Sequence, residues 1–379
     1  MARSNQISKF KDARVSKIHC IDLFCGAGGL TCGLQKSGID VVAGVDIDES
    51  CRYPFEVNNA TKFLLEDVSQ IKPAKLKEYF GKGSVRVLAG CAPCQPFSTY
   101  SQRYETVGTA RWGLMYHFAR LVKLIRPEFV TMENVPTVVK HKVYQDFVET
   151  LQNLGYHVWS EVVDCKKYGL PQQRRRTVLL ASLDRPLQLI APATELVRSV
   201  RDAIGTMPAL SHGEVSDADT LHVAASLSEL NLERIRVSKP GGTWRDWPKN
   251  LVAECHRKDT GRTYPGVYGR MSWDQPSPTL TTQFFGFGNG RFGHPDQDRA
   301  ITLREGAILQ GFPPEYLFLP EGDRTSFKTL GRLIGNAVPV TLGEIIGKSI
   351  KKHLVDCDNH YEITPKNDRH LNQEASLVA

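Results

Sequence analysis

The sequence predicts an α/β fold, a doubly wound and mostly parallel sheet joined to a smaller, irregular domain. From residue 18 to about residue 183, short apolar runs alternate with helical segments, which is typical of βαβ units with helices on both faces of a sheet. After Leu183 the periodicity weakens, and Pro, Gly, Ser and charged residues dominate to about residue 270. Regular apolar patterns return from Arg299, which predicts a loop followed by a helix.

Each predicted strand is an apolar run bounded by polar or turn residues. The strands are expected at residues 18–24, 41–47, 62–67, 85–90, 128–134, 157–164 and 177–183. Helices are expected from the first glycine-rich turn to about Ser37, after the second strand, and over residues 72–80, 112–125 and 143–154. The chain ends, residues 1–17 and 356–379, are polar. The basic first end is expected either to be a solvated arm or to touch nucleic acid.

Composition excludes several classes of protein. The 379 residues are 41% hydrophobic and 23% charged, which is ordinary for a globular chain and unlike a disordered one. No run approaches ~18 apolar residues, and the N-terminus lacks the apolar core of a secretory signal, so we expect no membrane segment and a cytoplasmic location. Nine cysteines, an odd count, favour reduced thiols. The net charge of +7 permits a polyanionic partner without requiring one.

A glycine-rich turn after the first strand predicts a ligand site. Gly26, Gly28 and Gly29 lie where the strand passes into a helix, and glycine lets the backbone approach a ligand closely. Asp46, at the end of the second strand, is placed to bind a ribose. Thr31 occupies the position of the third glycine in the dinucleotide pattern, so a nucleoside cofactor without a pyrophosphate, such as S-adenosylmethionine, fits better. Asp67, after the third strand, could read an adenine. A strand–turn–helix without any ligand remains the alternative.

Cys94 follows the fourth strand, at the edge of the sheet where ligands of such folds bind. A thiol in a suitable environment is a nucleophile. Three other interpretations stay open at this point: a redox pair with Cys91, half of a zinc site, or a buried apolar filler. No second C-x-x-C or paired histidine completes a zinc site, so we predict no metal.

An acid and two arginines are predicted at the same edge. Glu133 ends the fifth strand, and Arg174 and Arg176 share one face where the chain enters the last strand. Two guanidinium groups on one face can bind a carbonyl oxygen and orient a carboxylate.

Five motifs occur in an order that resembles the DNA cytosine-5 methyltransferases, particularly the bacterial restriction-modification type. They are DLFCGAGG at 22–29, PCQ at 93–95, ENV at 133–135, Q-x-R-x-R at 172–176 and GNAVP at 335–339. The resemblance covers roughly residues 18–183 and 265–350. It implies the S-adenosylmethionine-dependent methyltransferase fold, with a catalytic and cofactor-binding domain at 18–183. Residues 184–298 would then be a target-recognition domain, and residues 299–355 would return to the catalytic domain.

The resemblance also assigns catalytic roles. Cys94 would add to carbon 6 of cytosine, which makes carbon 5 nucleophilic toward a methyl group. Glu133 would bind the N3 edge and the exocyclic amine. Arg176 would bind the carbonyl O2, and Arg174 would support Glu133 or a phosphate. Cys25 and Cys91 are interpreted as structural.

Cofactor contacts carry over residue by residue. The methionine part of S-adenosylmethionine would lie on Phe24 and the glycine turn, the ribose on Asp46, and the adenine against Ile47, Asp67 and Val68. Further matches are Pro93, Leu114, which is the loosest of them, and Asn336, whose position implies that the two ends of the chain meet.

The expected partner is double-stranded DNA, from which the target base must be flipped out to reach Cys94. Residues 97–111 would form a lid over the flipped base. We also expect that the enzyme is a monomer and that it has a cognate restriction endonuclease. Its expected location is bacterial and nucleoid-associated. Basic residues of the recognition domain would contact DNA, most of them at phosphates: Arg234, Arg236, Lys239, Arg245, Lys249, Arg257, Lys258 and Arg262.

Three alternatives are kept. Methylation of tRNA by the same fold is the first, although the ~80 residues between the motif blocks favour DNA. A thiol–disulfide oxidoreductase that uses Cys91 and Cys94 is the second. A catalytically silent DNA-binding module is the third.

Overall fold

The computed structural model describes residues 17–93, 113–192, 197–261 and 263–362. Cys94, the predicted lid at 97–111, Arg262 and most of the N-terminal arm lie outside the described residues. Among the described residues, no helix combines the length and the apolar character needed to cross a bilayer.

Seven strands form one sheet in the order β3-β2-β1-β4-β5-β7-β6. They are β1 (Ile18–Leu23), β2 (Asp40–Asp46), β3 (Lys62–Leu65), β4 (Val85–Gly90), β5 (Phe129–Asn134), β6 (His157–Asp164) and β7 (Arg175–Ser182). The pairs among β1 to β5 are parallel, whereas β7 lies antiparallel between β5 and β6. The predicted doubly wound, mostly parallel sheet is therefore confirmed.

The helices in the first half of the chain are also close to prediction. They are α1 (Gly29–Lys36), α2 (Arg52–Asn59), α3 (Pro73–Tyr79), α4 (Gly113–Ile125) and α5 (Lys142–Asn153). Beyond the sheet follow α6 (Val200–Ile204), α7 (Glu229–Val237), α8 (Glu254–Arg257), α9 (Leu303–Leu309), α10 (Phe327–Asn336) and α11 (Val340–Glu362). The predicted loop and single helix after Arg299 were wrong, because three helices lie there. The last of them also runs through residue 356, where the polar tail was expected to begin.

Each face of the sheet buries its own apolar core. One core contains Phe118 of α4 and Phe147 of α5, and the other contains Leu34 of α1 and Ile346 of α11. β5 has no exposed residue, because both faces of the sheet are covered there. It begins with apolar residues and ends with two buried polar ones, Glu133 and Asn134. The chain ends meet here, as expected, since α11 packs on α1.

A third core joins the two predicted domains. Phe55 of α2 shares it with Val200, Phe284 and Leu333. Residues from both ends of the predicted recognition domain therefore pack into the larger domain. A fourth, small core surrounds Trp244 and Trp247. The boundaries 184–298 stay a prediction, since shared packing alone does not define a domain.

Candidate active site

The predicted site residues follow strands that end at one edge of the sheet. Leu23 pairs with Val45 of β2 and with Gly90 of β4, and Gly90 pairs with Met132 of β5. Because these strands are parallel, the glycine turn, Asp46, the segment leading to Cys94 and Glu133 all emerge on that edge. This edge is where open α/β sheets bind their ligands.

Asp46 fixes the glycine turn. Its Oδ2 accepts a hydrogen bond from the Gly26 amide at 2.9 Å, and its Oδ1 accepts one from the Asp48 amide at 3.0 Å. Burial raises the pKa of Asp46, and the two amide donors oppose that rise. The carboxylate predicted to bind a ribose is thus already oriented by the backbone it follows.

The glycines of the turn serve different purposes. Gly26 has φ of +53° and a side chain there would meet no atom within 4 Å, so this glycine borders open space. Gly28 has φ of +89°, and a side chain there would lie 2.5 Å from Asn59 Nδ2 and 2.9 Å from the Tyr316 hydroxyl. The turn is therefore open toward the predicted cofactor side at Gly26 and closely packed behind Gly28.

Tyr316 supports the turn from the C-terminal part of the chain. Its hydroxyl donates to the Ala27 carbonyl at 2.6 Å and accepts from Asn59 Nδ2 at 3.1 Å. A buried hydroxyl with both partners in place fixes the backbone it touches. The C-terminal segment thus shapes the turn directly.

The residues predicted to contact the adenine differ in exposure. Ile47 is 70% exposed, an unusual position for a large aliphatic side chain next to a buried strand. Val68 is buried, and the Asp67 carboxylate accepts from the Ser69 amide at 2.8 Å. Arg120 of α4 donates to the carbonyls of Val68 and Ile71 at 3.0 and 3.2 Å, which holds this loop in place.

The remaining predicted cofactor residues have the following positions. Phe24 is half-buried with φ of +58°, a conformation that is rare for an aromatic residue. Pro93 is half-buried, Leu114 lies in the first turn of α4, and Asn336 is the exposed last residue of α10. Asp22, just before the turn, is buried, and its Oδ1 has no hydrogen-bond partner among the described residues. Open space at Gly26, exposed Ile47 and this unsatisfied acceptor fit a nucleoside cofactor with a cationic amino-acid end.

Glu133 lies at the centre of a buried polar cluster and is only 3% exposed. Its Oε1 is 2.9 Å from Arg176 Nε, and its Oε2 accepts a hydrogen bond from the Cys91 thiol at 2.9 Å. The neighbouring Asn134 donates its side-chain amide to the Ala92 carbonyl at 3.0 Å. Two consecutive residues of β5 therefore hold the segment that leads into Cys94.

Arg174 and Arg176 occupy different environments. Arg176 Nε lies 2.9 Å from Glu133 Oε1. Arg174 is only 2% exposed, and its guanidinium donates to the carbonyls of Leu280, Gly335 and Ala337 at 3.3–3.4 Å. A buried guanidinium needs several acceptors, and backbone carbonyls far along the chain supply them here. Arg174 thereby ties β7 to both flanks of Asn336.

A cleft of about 460 Å³ opens beside Arg176. Lys166 and Arg175 give it a positive rim, and Asp164 is the one acid among its lining residues. The lining comes from both the sheet and the segment after Ser277: Pro136, Asp164, Lys166, Gln173, Arg175, Arg176 and Thr279. An anionic chain could therefore reach the Glu133 cluster from this side.

The basic residues of the predicted recognition domain fall into two groups. Arg234 donates to the Leu251 carbonyl at 2.9 Å and lies over the rings of Trp247 and Tyr268, so it supports the small core. Arg257 is exposed and donates to the Lys249 carbonyl at 2.9 Å. Also exposed among the described residues are Arg236, Lys239, Arg245, Lys249 and Lys258. Trp244 and Trp247 are buried in the small core.

Several residues that shape the site were not predicted, namely Arg120, Tyr316, Arg332 and the contact made by Cys91. Arg332 lies four residues before Asn336 on α10, and the shared helix face could have indicated it. No local sequence pattern could have indicated Tyr316, because its hydrogen-bond partners are more than 250 residues away in the chain.

Comparison with known proteins identifies the family to which this chain belongs. The family described as C-5 cytosine-specific DNA methylase matches residues 18–352. The Type II methylase M.HgiDII of Herpetosiphon aurantiacus is 50% identical over 339 residues, which cover 88% of this chain and 95% of that protein. The Type II methyltransferase M.Eco47II of Escherichia coli is 33% identical over 345 residues, covering 89% and 79%. Among solved structures, the Entamoeba histolytica methyltransferase EhMeth superposes with a TM-score of 0.62 at 15% identity, covering 90% of this chain and 98% of that one, which supports the fold.

Proposed function

The chain belongs to the family of C-5 cytosine-specific DNA methylases and is a DNA cytosine-5 methyltransferase, and from that premise we propose that Cys94 is its nucleophile and Glu133 its base-binding acid. The observation that carries the proposal is the buried carboxylate of Glu133 beside the segment that leads into Cys94. A carboxylate held at this place can bind the edge of a cytosine while the thiolate attacks its ring.

Carbon 5 of cytosine is too weak a nucleophile to be methylated directly. The Cys94 thiolate adds to carbon 6, and the electron pair of the carbon 5–carbon 6 double bond becomes available at carbon 5. Glu133 binds N3 through a shared proton and accepts a hydrogen bond from the exocyclic amine, and Arg176 donates to O2, so the negative charge that develops on the ring is offset. After carbon 5 has bonded to the methyl group, loss of its proton restores the double bond and expels Cys94.

S-adenosylmethionine supplies an electrophilic methyl group when it is bound. The turn at Gly26 would receive its methionine part, Asp46 would accept hydrogen bonds from the ribose, and Ile47 would cover one face of the adenine. Phe24, Gly28, Gly29, Asp67, Val68, Pro93, Leu114 and Asn336 complete the proposed cofactor contacts. Arg174 acts in this scheme by holding the backbone on both sides of Asn336.

The target base must leave the duplex to reach the Glu133 cluster, at a cost of a few kcal/mol that contacts with the DNA backbone offset. We assign the recognition of neighbouring bases to residues 184–298, with the exposed basic residues at phosphates. The Type II relatives support a role in protecting DNA against a cognate endonuclease.

Substitution of Cys94 tests the proposal. Cys94→Ser should lower the transfer of labelled methyl groups from S-adenosylmethionine to duplex DNA roughly a thousandfold or more, because the serine hydroxyl is a far weaker nucleophile at neutral pH. Cys255→Ser is the matched control, since this exposed cysteine lies away from the sheet edge.

DNA that carries 5-fluorocytosine provides a second readout. Fluorine cannot leave carbon 5 as a proton does, so the wild-type protein should form a lasting covalent adduct through Cys94. Full methylation by Cys94→Ser, or an adduct through another residue, would contradict the assignment. Equal labelling of tRNA and duplex DNA would favour the tRNA alternative, which the relatives support less.

A further inference from the structure

We propose that Cys91 is a positioning residue for Glu133, whose thiol fixes the carboxylate that binds the target cytosine. The Cys91 thiol donates to Glu133 Oε2 at 2.9 Å, while Arg176 Nε lies 2.9 Å from Oε1 on the other side. Each oxygen of the carboxylate thus has its own neighbour. The inference rests on the proposed role of Glu133 and adds a residue that the sequence indicated only as a structural cysteine.

The backbone explains why the thiol reaches Glu133. Cys91 directly follows β4, and its amide continues the hydrogen-bond ladder by donating to the Leu23 carbonyl at 3.3 Å. Gly90 and Met132 are paired residues of β4 and β5, so Cys91 and Glu133 are the next residues on two neighbouring parallel strands. Side chains at such positions lie at the distance of one strand spacing. A thiol, which is small and carries one donor, spans that gap.

The surroundings of Glu133 make the orientation of its carboxylate important. The described charged and titratable groups beside it include Cys91 after β4, Arg176 on β7 and Cys165 just after β6. Burial raises the pKa of the Cys165 thiol to about 12, so this second thiol stays neutral. A carboxylate with an arginine on one side only could rotate toward that arginine. The Cys91 thiol opposes that rotation by donating a hydrogen bond from the other side.

The contact also connects the acid to the nucleophile. Cys91 and Ala92 are both held by β5, through Glu133 and Asn134. Cys94 follows three residues after Cys91. Glu133 and the segment that precedes the proposed nucleophile are therefore held by the same contacts.

Replacement of Cys91 tests the inference in the full-length protein. Cys91→Ala should lower kcat roughly tenfold, as expected for the loss of one hydrogen bond to a charged group, with the KM values for DNA and S-adenosylmethionine nearly unchanged. Cys91→Ser, which keeps a donor, should restore kcat to near that of the wild type. Rates are taken per cofactor-binding protein, so that partial unfolding does not count.

Two controls separate the possible failures. Cys20→Ala removes another buried thiol, one in β1, and should leave kcat unchanged. If Cys91→Ala has the same kcat as Cys20→Ala, or if Cys91→Ser fails to restore kcat, the thiol only fills space and the inference is overturned. Glu133→Gln tests the assignment on which the inference rests. An inactive Glu133→Gln beside an unaffected Cys91→Ala refutes only the role of Cys91, whereas a fully active Glu133→Gln refutes the role of Glu133 itself.

Discussion

Asp22 carries a buried carboxyl group that is only partly satisfied. Its Oδ2 accepts a hydrogen bond from the Thr31 hydroxyl at 2.8 Å, and its Oδ1 has no such partner among the described residues. The pKa of Asp22 is raised to about 7. Burial is the main cause, the hydrogen bond from Thr31 opposes the rise, and the charge of Asp46 adds to it. The carboxyl group of Asp22 is therefore about half ionised at neutral pH. It lies next to the turn that is predicted to bind the methionine part of S-adenosylmethionine.

Asp22→Asn should stabilise the cofactor-free protein more at pH 8 than at pH 5. In the folded wild type the carboxyl group binds a proton up to about pH 7, whereas in the unfolded chain it loses that proton near pH 4. Stability is therefore lost as the pH rises through this window, by about 2 to 3 kcal/mol between pH 5 and 7. The amide has no charge to bury, so the variant escapes this loss.

Urea unfolding at the two pH values measures the difference in the free energy of unfolding. The exposed Asp217 provides the control, because Asp217→Asn should show no such dependence. If the free energies of unfolding of Asp22→Asn and the wild type differ by the same amount at pH 5 and pH 8, Asp22 is ionised in the folded state throughout this range.

At this scale the sequence predicts residue types and positions better than contacts. Thr31 was noticed because it breaks the dinucleotide pattern, but its hydrogen bond to Asp22 could not be predicted from that. The charges of Arg174 and Arg176 both lower the pKa of Cys165. The hydrogen bonds of Arg174 to carbonyl groups could not be predicted, because those acceptors lie more than 100 residues away in the chain. No local pattern records such long-range partners.

At the scale of elements, α10 contacts the loop after β2. Arg332 of α10 forms an ion pair with Asp48 and donates to the Ser50 hydroxyl at 3.1 Å. Although burial raises the pKa of Asp48, the hydrogen bonds from Arg332 and Ser50 outweigh it and lower that pKa. Ile47, the proposed adenine contact, directly precedes Asp48, so this ion pair fixes the loop on which Ile47 lies.

Arg332→Ala should therefore weaken the binding of S-adenosylmethionine about twofold to fivefold. The effect is modest because the arginine is partly exposed, and partly exposed ion pairs contribute about 1 kcal/mol or less. Titration calorimetry measures the Kd. Lys328→Ala removes a positive charge from an exposed position of the same helix and should leave the Kd unchanged. Equal Kd values for the two variants would rule out a specific role of the ion pair.

Strands were easier to predict than the elements after Arg299. Strands such as β4 are rich in apolar residues and end at turn residues, and both predicted bounds of β4 are correct. The helices α9 and α10 are short and begin with side-chain caps from Thr302 and Ser326. Their apolar residues face a core built from distant segments, so their periodicity alone did not separate them from a loop.

At the scale of the whole molecule, the two ends of the described chain close the fold together. Gly33 of α1 faces the start of α11, and a side chain at Gly33 would lie 2.2 Å from the Val340 carbonyl oxygen and 2.6 Å from the Glu344 amide. These are backbone atoms, which cannot move away by changing a rotamer. The absence of a side chain at Gly33 thus allows α1, which opens at the glycine turn, to pack against α11, which begins just after Asn336.

Gly33→Ala should destabilise the whole protein rather than the recognition region alone. Overpacking of this kind costs about 2 to 3 kcal/mol, more than the ~1 kcal/mol that alanine gains over glycine within a helix. Thermal unfolding should therefore show a clearly lower Tm. Gly266→Ala is the control, because a side chain there would meet no atom within 4 Å. Cofactor binding should weaken together with stability, since α1 and Asn336 both border the site. If Gly33→Ala unfolds at the same temperature as Gly266→Ala, α1 and α11 separate without cost, and the closure of the site depends on Arg174 and Tyr316 instead.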